Sequence, residues 1–310
     1  MLRTKSKLIV SAILATGVLS NNIYGSWLSD SYDTTKVIPE ARQETLNKKL
    51  LYCFQKKSWL DAENITERLI ETAILFRSGA DYSFLIQNVF SEEVECPPVV
   101  RALLLCLPGT GGVFVRNALE SQFSGDVPKT LSDCFNGQWS DRENIIKKLK
   151  EVAFFLQVGV DYSHLFQELS LLSYPLIAKA LLLCLPNTDI NALNDKGKSE
   201  LYCVIEDLFS PYMIKNLEGF DVKDFPSNVE ELRELDMLLA CRADPSVRGP
   251  DGTPCEFIER CQQMLRDLLS QPGGKPGELS RIRAVINRKI KFCQEIIQKL
   301  RNANEKLHGD

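Results

Sequence analysis

Apolar residues recur along much of the chain at the three-to-four-residue spacing of an amphipathic helix. In the segment ENITERLIETAILF, the apolar positions on one side of such a helix are Ile65, Leu69, Ala73 and Phe76. Gly79 follows as a residue that can take a positive φ and end the helix. The period-two alternation of strands is essentially absent, so the pattern predicts an all-α fold.

One apolar heptamer, ALLLCLP, occurs twice, at residues 102–108 and 180–186. Its proline cannot continue a helix and ends each apolar run. The flanking sequences match as well, because residues 69–83 correspond to residues 149–163 at an offset of 80. A unit of roughly 80 residues is therefore present twice.

A third, altered copy follows the first two. Leu201–Phe209 is similar to the segment that begins at Leu51, and Glu234–Ser246 is similar to Glu71–Ser83. Self-similarity at a fixed period is typical of a repeat array, in which neighbouring units bury each other's apolar faces. The sequence therefore predicts a solenoid of short antiparallel helix pairs joined by tight turns.

The segment Leu238–Ile258, LLACRADPSVRGPDGTPCEFI, resembles an ankyrin repeat. Ala243-Asp244-Pro245 stands for the Ala-Asp turn of that family, and Asp251-Gly252-Thr253-Pro254 stands for the hairpin tip and the next helix start. The sequence departs from the family pattern in two ways: one residue between glycine and threonine is missing, and Cys255 replaces the leucine. A generic α-solenoid with coincidental turns is the alternative interpretation.

A second match, Leu183–Glu206, has serine for threonine and glutamate for proline. The resemblance implies a helical repeat domain over residues 26–270 that binds another protein through hairpin tips and inner helices. By that resemblance, the tip residues expected to contact the partner are Asp195, Lys196, Arg248 and Asp251.

The N-terminus has the layout of a secretory signal peptide. A basic lead precedes the apolar run Leu8–Leu19, and a polar stretch follows, with cleavage predicted after Gly25. Residues 1–25 are therefore predicted to direct export, either to the periplasm or out of the cell, with a host cell as one destination. A buried or uncleaved membrane-tethering helix is the alternative. No other stretch approaches the ~20 apolar residues of a membrane helix, so no stable membrane insertion is expected after cleavage.

Ten cysteines are present, none at CxxC spacing and most within apolar helical segments. This context favours reduced, buried thiols, although an even number in an exported chain also fits disulfides. Export together with reduced thiols fits a protein that acts in a second reducing compartment, such as a host cytosol.

The last segment, residues 271–310, is predicted to contain a Gly/Pro linker and a basic amphipathic helix. The apolar face of this helix comprises Ile282, Ile286, Ile290, Cys293, Ile297 and Leu300. Its polar face carries seven arginines and lysines between Arg281 and Arg301. Two interpretations stay open: a solvated cap that packs on the last repeat, or a basic helix that binds an acidic partner or a membrane surface.

Composition and residue content limit the classes of function that the chain can have. A net charge of −4 gives no reason to expect nucleic acid, and only two histidines, His164 and His308, are present. The sequence offers no catalytic constellation, cofactor site or metal site. We therefore expect a non-enzymatic protein–protein interaction module, with a secreted effector that binds a host protein as one form. A periplasmic or envelope-associated scaffold is the main alternative, and a helical enzyme is a third.

Overall fold

The computed structural model describes residues 39–55, 59–81, 83–84, 97–107, 130–135, 139–157, 159–162, 165, 175–209, 229–270 and 276–308. The predicted export signal, the linker segment 271–275, Cys96 and His164 lie outside these residues. The all-α prediction is confirmed for the described part, which contains helices, no strands, and one isolated β-bridge between Gly249 and Gly252. No helix in that part is both long enough and apolar enough to cross a bilayer.

The described residues form ten helices in two compact units. The first unit contains α1 (Glu40–Gln55), α2 (Ala62–Arg77), α3 (Pro98–Cys106), α4 (Leu131–Phe135), α5 (Arg142–Gln157) and α6 (Leu176–Cys184). The second contains α7 (Glu200–Leu208), α8 (Val229–Ala240), α9 (Pro254–Ser270) and α10 (Pro276–His308). The boundary between them falls between Thr188 and Asp189.

The helices α2 and α5 begin with the same cap in both copies. Asp61 accepts a hydrogen bond from the backbone N–H of Asn64 at 2.9 Å, and Asp141 accepts one from Asn144 at 2.9 Å. Each asparagine side chain also donates to the second carboxylate oxygen. Such caps satisfy N–H groups that the first helical turn leaves without partners. The N–H of Asn144 holds the pKa of Asp141 below its ordinary value.

The turn that ends the long helix also recurs, and it does so three times. Gly79, Gly159 and Arg242 have φ values of 96°, 81° and 70°. The next N–H in each turn bonds to a carbonyl five residues back, with the pairs Ala80–Leu75, Val160–Phe155 and Ala243–Leu238. The third copy predicted from sequence therefore ends its helix α8 in the same geometry. Arg242 takes this conformation although it costs a residue with a Cβ about 1 kcal/mol.

Helices of the two sequence copies are exchanged within the first unit. The first heptamer helix, α3, packs most extensively on α5 of the second copy. The second heptamer helix, α6, packs most extensively on α2 of the first copy. A solenoid would stack neighbouring helices in chain order. In this unit the main helix pairs instead join one copy to the other.

The cysteines of the two heptamers make matching hydrogen bonds, each to the long helix of the other copy. The thiol of Cys106 donates to the carbonyl of Leu149 at 3.3 Å, and the thiol of Cys184 donates to the carbonyl of Leu69 at 3.6 Å. Leu69 and Leu149 are the residues that match at an offset of 80. The two cysteines of the repeated heptamer therefore occupy equivalent environments.

The ends of the heptamer helices are also held reciprocally. The Arg77 guanidinium donates to the carbonyls of Leu183, Leu185 and Thr188 at 3.0, 3.2 and 2.8 Å. Gln157, which matches Arg77 in the second copy, donates to the Leu105 carbonyl at 2.9 Å. These donors bond to carbonyls that a helix C-terminus leaves without intrahelical partners.

Burial explains why the heptamer is apolar on all sides. Every residue of α6 is buried, and in α3 only the residues Arg101 and Leu105, with Pro98, are partly or fully exposed. A helix that is apolar all round is typical of a helix buried all round. Each leucine buried there contributes about 1.5–3 kcal/mol relative to exposure.

Trp59 and Trp139, which match at an offset of 80, lie just before the long helices α2 and α5. Trp59 is 1% exposed and donates from Nε1 to the Cys53 carbonyl, while Trp139 is 6% exposed and donates to the Phe135 carbonyl. Both bonds are 3.2 Å long. Both tryptophans are therefore packing residues.

In the second unit, α7 packs against α8 and α9, and α10 packs along α9. Four residues of the predicted apolar face of α10 are buried: Ile286, Cys293, Ile297 and Leu300. Ile296, which the sequence pattern did not include, is buried with them.

Replacing Arg77 by alanine is expected to lower the free energy of unfolding by about 2 kcal/mol, because one side chain holds three carbonyls at the end of α6. Gln157→Ala, which removes one such bond, should cost about 1 kcal/mol. Urea denaturation followed by circular dichroism measures both. The exposed Arg101→Ala variant is the control, and an Arg77→Ala cost no larger than that of the control would contradict the reciprocal packing.

Candidate protein-binding surface

Asn194 organises the first of two loops in the second unit, residues 189–199. Its side-chain oxygen accepts from the N–H groups of Lys196 and Lys198 at 2.9 and 3.1 Å, and its own N–H bonds to the Lys198 carbonyl. Gly197 supplies the positive φ of 70° that closes the turn. Because the Asn194 side chain and the backbone hold the loop, the Asp195 and Lys196 side chains need not stabilise it, and both are exposed.

A β-bridge and a helix cap build the second loop, residues 244–253. Gly249 and Gly252 exchange backbone hydrogen bonds of 2.8 and 3.2 Å. Thr253 and Glu256 then form a capping box, in which the Thr253 hydroxyl accepts from the Glu256 N–H and the Glu256 carboxylate accepts from the Thr253 N–H. Thr253 therefore caps a helix that begins where the resemblance placed the next helix start.

The two loops lie side by side. The N–H of Asp244 donates to the Asn191 side chain at 2.8 Å, which joins the start of one loop to the other. At the turns, a Cβ placed on Gly197 would lie 4.0 Å from the Pro250 ring. The first unit contains the same link, since the Asp81 N–H donates to Asn47 at 2.9 Å.

The Asp244 side chain also stabilises the second loop through hydrogen bonds. Its carboxylate accepts from the N–H and the hydroxyl of Ser246 at 2.8 and 2.6 Å, and it lies 3.3 Å from the His308 ring. Partial burial acts to raise the pKa of Asp244, but the bonds from Ser246 and His308 outweigh it and hold that pKa below its ordinary value. The carboxylate is therefore ionised and bonded at neutral pH.

The structure brings the four sequence-predicted contact residues onto these adjacent turns. Asp195 and Lys196 lie at the turn of the first loop, and Arg248 and Asp251 flank the turn of the second, all four exposed. Arg248 is paired with Glu256 at 3.2 Å. The backbone carbonyl of Asp251 accepts a hydrogen bond from Arg260. Among the four, the side chains of Asp195, Lys196 and Asp251 make no hydrogen bond or ion pair within the described residues.

Sequence reasoning missed an apolar contribution to this surface. Leu193 is 44% exposed beside the charged turn, and Pro250 is exposed at the other turn. A leucine inside the polar loop INALNDKG was the signal that could have identified it. We call the six exposed residues of the two turns the loop surface: Leu193, Asp195, Lys196, Arg248, Pro250 and Asp251.

A buried tyrosine supports the loop surface from below. Tyr202 is 1% exposed, its ring lies against Phe257 at 5.6 Å between centroids, and Lys198 lies 5.7 Å above it. Burial, with the charges of Asp251 and Glu206, raises the pKa of Tyr202 to about 12. The phenol is therefore neutral at physiological pH, and its hydroxyl has no hydrogen-bond partner in the described part of the chain.

The described thiols offer little nucleophilic character. Burial is the main cause that raises the pKa of Cys53 to about 11 and those of Cys134 and Cys293 to about 12. Such thiols are protonated at neutral pH, whereas the thiolate is the nucleophile and the metal ligand. Within the described residues, no group of three or more Cys, His, Asp or Glu side chains could hold a metal ion.

One open cleft of about 550 Å³ lies between α1 and α2. At its wall the Cys53 thiol donates to Glu71 at 3.3 Å, and Glu71 pairs with Arg68. The second copy has Cys134, Glu151 and Lys148 at the matching positions, with Lys148 3.4 Å from the Glu151 carboxylate. A trio repeated in both copies at a helix contact is explained by packing, so the loop surface is the better candidate site.

No protein-family model matches this chain, and neither a curated protein nor a solved structure matches it.

Replacing Gly249 by alanine is expected to cost about 1–3 kcal/mol of stability, because the new Cβ would lie 2.8 Å from two ring carbons of Tyr202. Thermal and urea unfolding measure the change. The same substitution in a Tyr202→Ala background should cost much less, since the clash is then absent. An equal cost in both backgrounds would show that the second loop does not rest on the tyrosine ring.

Proposed function

We propose that this chain is a non-enzymatic protein-binding module whose loop surface contacts a protein partner. The observation that carries the proposal is the side-by-side placement of two hydrogen-bonded loops whose turns expose four charged residues and Leu193. In this proposal, residues 189–270 act as degenerate ankyrin-like repeats of an α-solenoid. The capping box at Thr253, the link from Asn191 to Asp244 and the recurring turn support it.

The chemistry of the loop surface is suited to recognition. Its charges alternate in sign, with Asp195 beside Lys196 in one turn and Arg248 near Asp251 in the other. Complementary charges select a partner and its orientation, and one exposed apolar side chain such as Leu193 supplies contact area. Both loops are held by internal hydrogen bonds before any partner arrives, which lowers the ordering cost of binding.

Export is part of the same proposal. Residues 1–25 are laid out as a signal peptide, and the protein is proposed to act outside the producing cell, in a host cytosol in one form. The nine described cysteines are thiols, and seven of them are buried. Buried thiols with raised pKa values suit a reducing destination. Titration of free thiols in the exported protein separates this form from an envelope scaffold, which would carry disulfides.

The binding proposal is tested with a variant of the loop surface, Asp195→Asn, Lys196→Gln, Arg248→Gln and Asp251→Asn. The four substitutions remove the charges and leave the net charge of the chain unchanged. Immobilised wild-type and variant proteins are exposed to lysates of candidate host cells, and retained proteins are identified by mass spectrometry. A specific protein should bind the wild type and be reduced at least about tenfold on the variant, because each exposed charged contact contributes up to about 1 kcal/mol.

The matched control changes four exposed charges of the first unit: Glu63→Gln, Glu143→Gln, Lys49→Gln and Arg101→Gln. The control should retain the partner. Equal retention by all three proteins, or loss on the control alone, would place the binding site elsewhere. Circular dichroism and thermal unfolding establish that both variants keep the wild-type fold.

A further inference from the structure

The helices α9 and α10 form an antiparallel hairpin. Gln262 of α9 donates to the carbonyl of Ile290 at 3.4 Å, whereas Glu259, earlier in α9, pairs with Arg301, later in α10. Residue numbers therefore rise along one helix as they fall along the other. This direction places Arg266, one turn after Gln262, at the level of α10 residues just before Ile290.

Lys299, Arg301 and His308, in the C-terminal half of α10, contact other elements of the second unit. Lys299 pairs with Asp236 of α8 at 2.5 Å, and Arg301 pairs with Glu259 of α9 at 2.9 Å. His308 lies 3.3 Å from Asp244 of the second loop. This half of the helix therefore fits the cap that the sequence predicted as one of two alternatives.

Three exposed arginines lie toward the other end of the hairpin. Arg266, Arg283 and Arg288 are exposed, and none of their guanidinium groups makes an ion pair or hydrogen bond within the described residues. Lys291, on the same stretch of α10, pairs with Glu295 at 3.8 Å. We call the three arginines the basic pole. Arg288 is two residues from Ile290 and Arg283 lies five residues further back, so all three arginines lie toward one end of the hairpin.

The charge distribution along the chain singles out the same end. Residues 266–291 contain seven lysines and arginines and two acidic residues. This segment is net +5, while the whole chain is −4, so the remaining residues carry −9. A concentrated field of one sign on a protein of the opposite net charge attracts an oppositely charged partner by steering.

We propose that the basic pole is a second binding site, distinct from the loop surface, that docks an acidic segment of another protein. Guanidinium groups bind carboxylates through paired, charge-assisted hydrogen bonds, and the three residues are all arginine.

Packing of the helix disfavours a membrane as the partner. A helix that lies in a lipid interface needs a free apolar face. On α10 that face is occupied, because Ile286, Cys293 and Ile297 are buried in the second unit. The exposed side of the pole is left with charge and little apolar area, which suits a protein segment rich in glutamate and aspartate.

The site is tested by fluorescence anisotropy of a fluorescein-labelled glutamate-rich peptide titrated with the full chain at low salt. The variant Arg266→Gln, Arg283→Gln, Arg288→Gln should bind about tenfold more weakly, because three exposed charge pairs are lost. A matched variant that removes three exposed cations of the first unit, Arg42→Gln, Lys49→Gln and Arg101→Gln, should bind as tightly as the wild type. The variant with lysine at all three pole positions should fall between, since charge is kept and the paired hydrogen bonds are lost.

Three outcomes would overturn the proposal: no binding of the peptide, equal weakening by both glutamine variants, or binding of phosphatidylserine vesicles or RNA in preference to the peptide. The loop-surface variant should bind the peptide normally, so failure of the proposed function and failure of this site are separate results. Thermal unfolding of each variant shows that a loss of binding is not a loss of fold.

Discussion

The reciprocal seating of two nearly identical apolar helices is the interaction on which the first unit depends. The helix α3 lies on α5 and α6 lies on α2, so each copy of the repeat buries the other copy's heptamer. The thiol bonds of Cys106 and Cys184 and the end contacts of Arg77 and Gln157 follow the same exchange. Neither copy supplies both halves of its own core, which explains why the heptamer is present twice and why its residues are apolar on every side.

Side-chain hydrogen bonds to the backbone fix the loops, as apolar packing fixes the core. Asn191 and Asn47 each hold the N–H of an aspartate in the following turn, and each aspartate then accepts from a serine two residues later. These bonds satisfy backbone groups that would otherwise lack partners and fix the loops without strands. In the second unit, they leave the turns exposed and rigid, which is the property that the binding proposal uses.

The local structure was readable from the sequence, whereas the pairing of helices was not. Spacing predicted α2 and α3, proline and glycine predicted their ends, and Thr253 predicted the start of α9. The exchange of heptamer helices between the two copies could not be predicted from the sequence. Because the two heptamers are identical, each could pack on the long helix of either copy. Positive φ at Arg242 was equally hidden, since a glycine is expected there and arginine marks no turn. The partners of Lys299 and Arg301 are Asp236 and Glu259, which are distant in sequence, so the local pattern could not identify these pairs.

Methyl NOE spectroscopy of the deuterated, methyl-labelled chain tests the exchange most directly. Among the four helices concerned, valine occurs only in α3 and α5, and α6 contains isoleucine where α3 has none, so the two heptamer helices are distinguishable. The account predicts cross-peaks between methyl groups of α3 and α5 and between those of α6 and α2. Dominant cross-peaks between α2 and α3 and between α5 and α6, as in helices stacked in chain order, would contradict it.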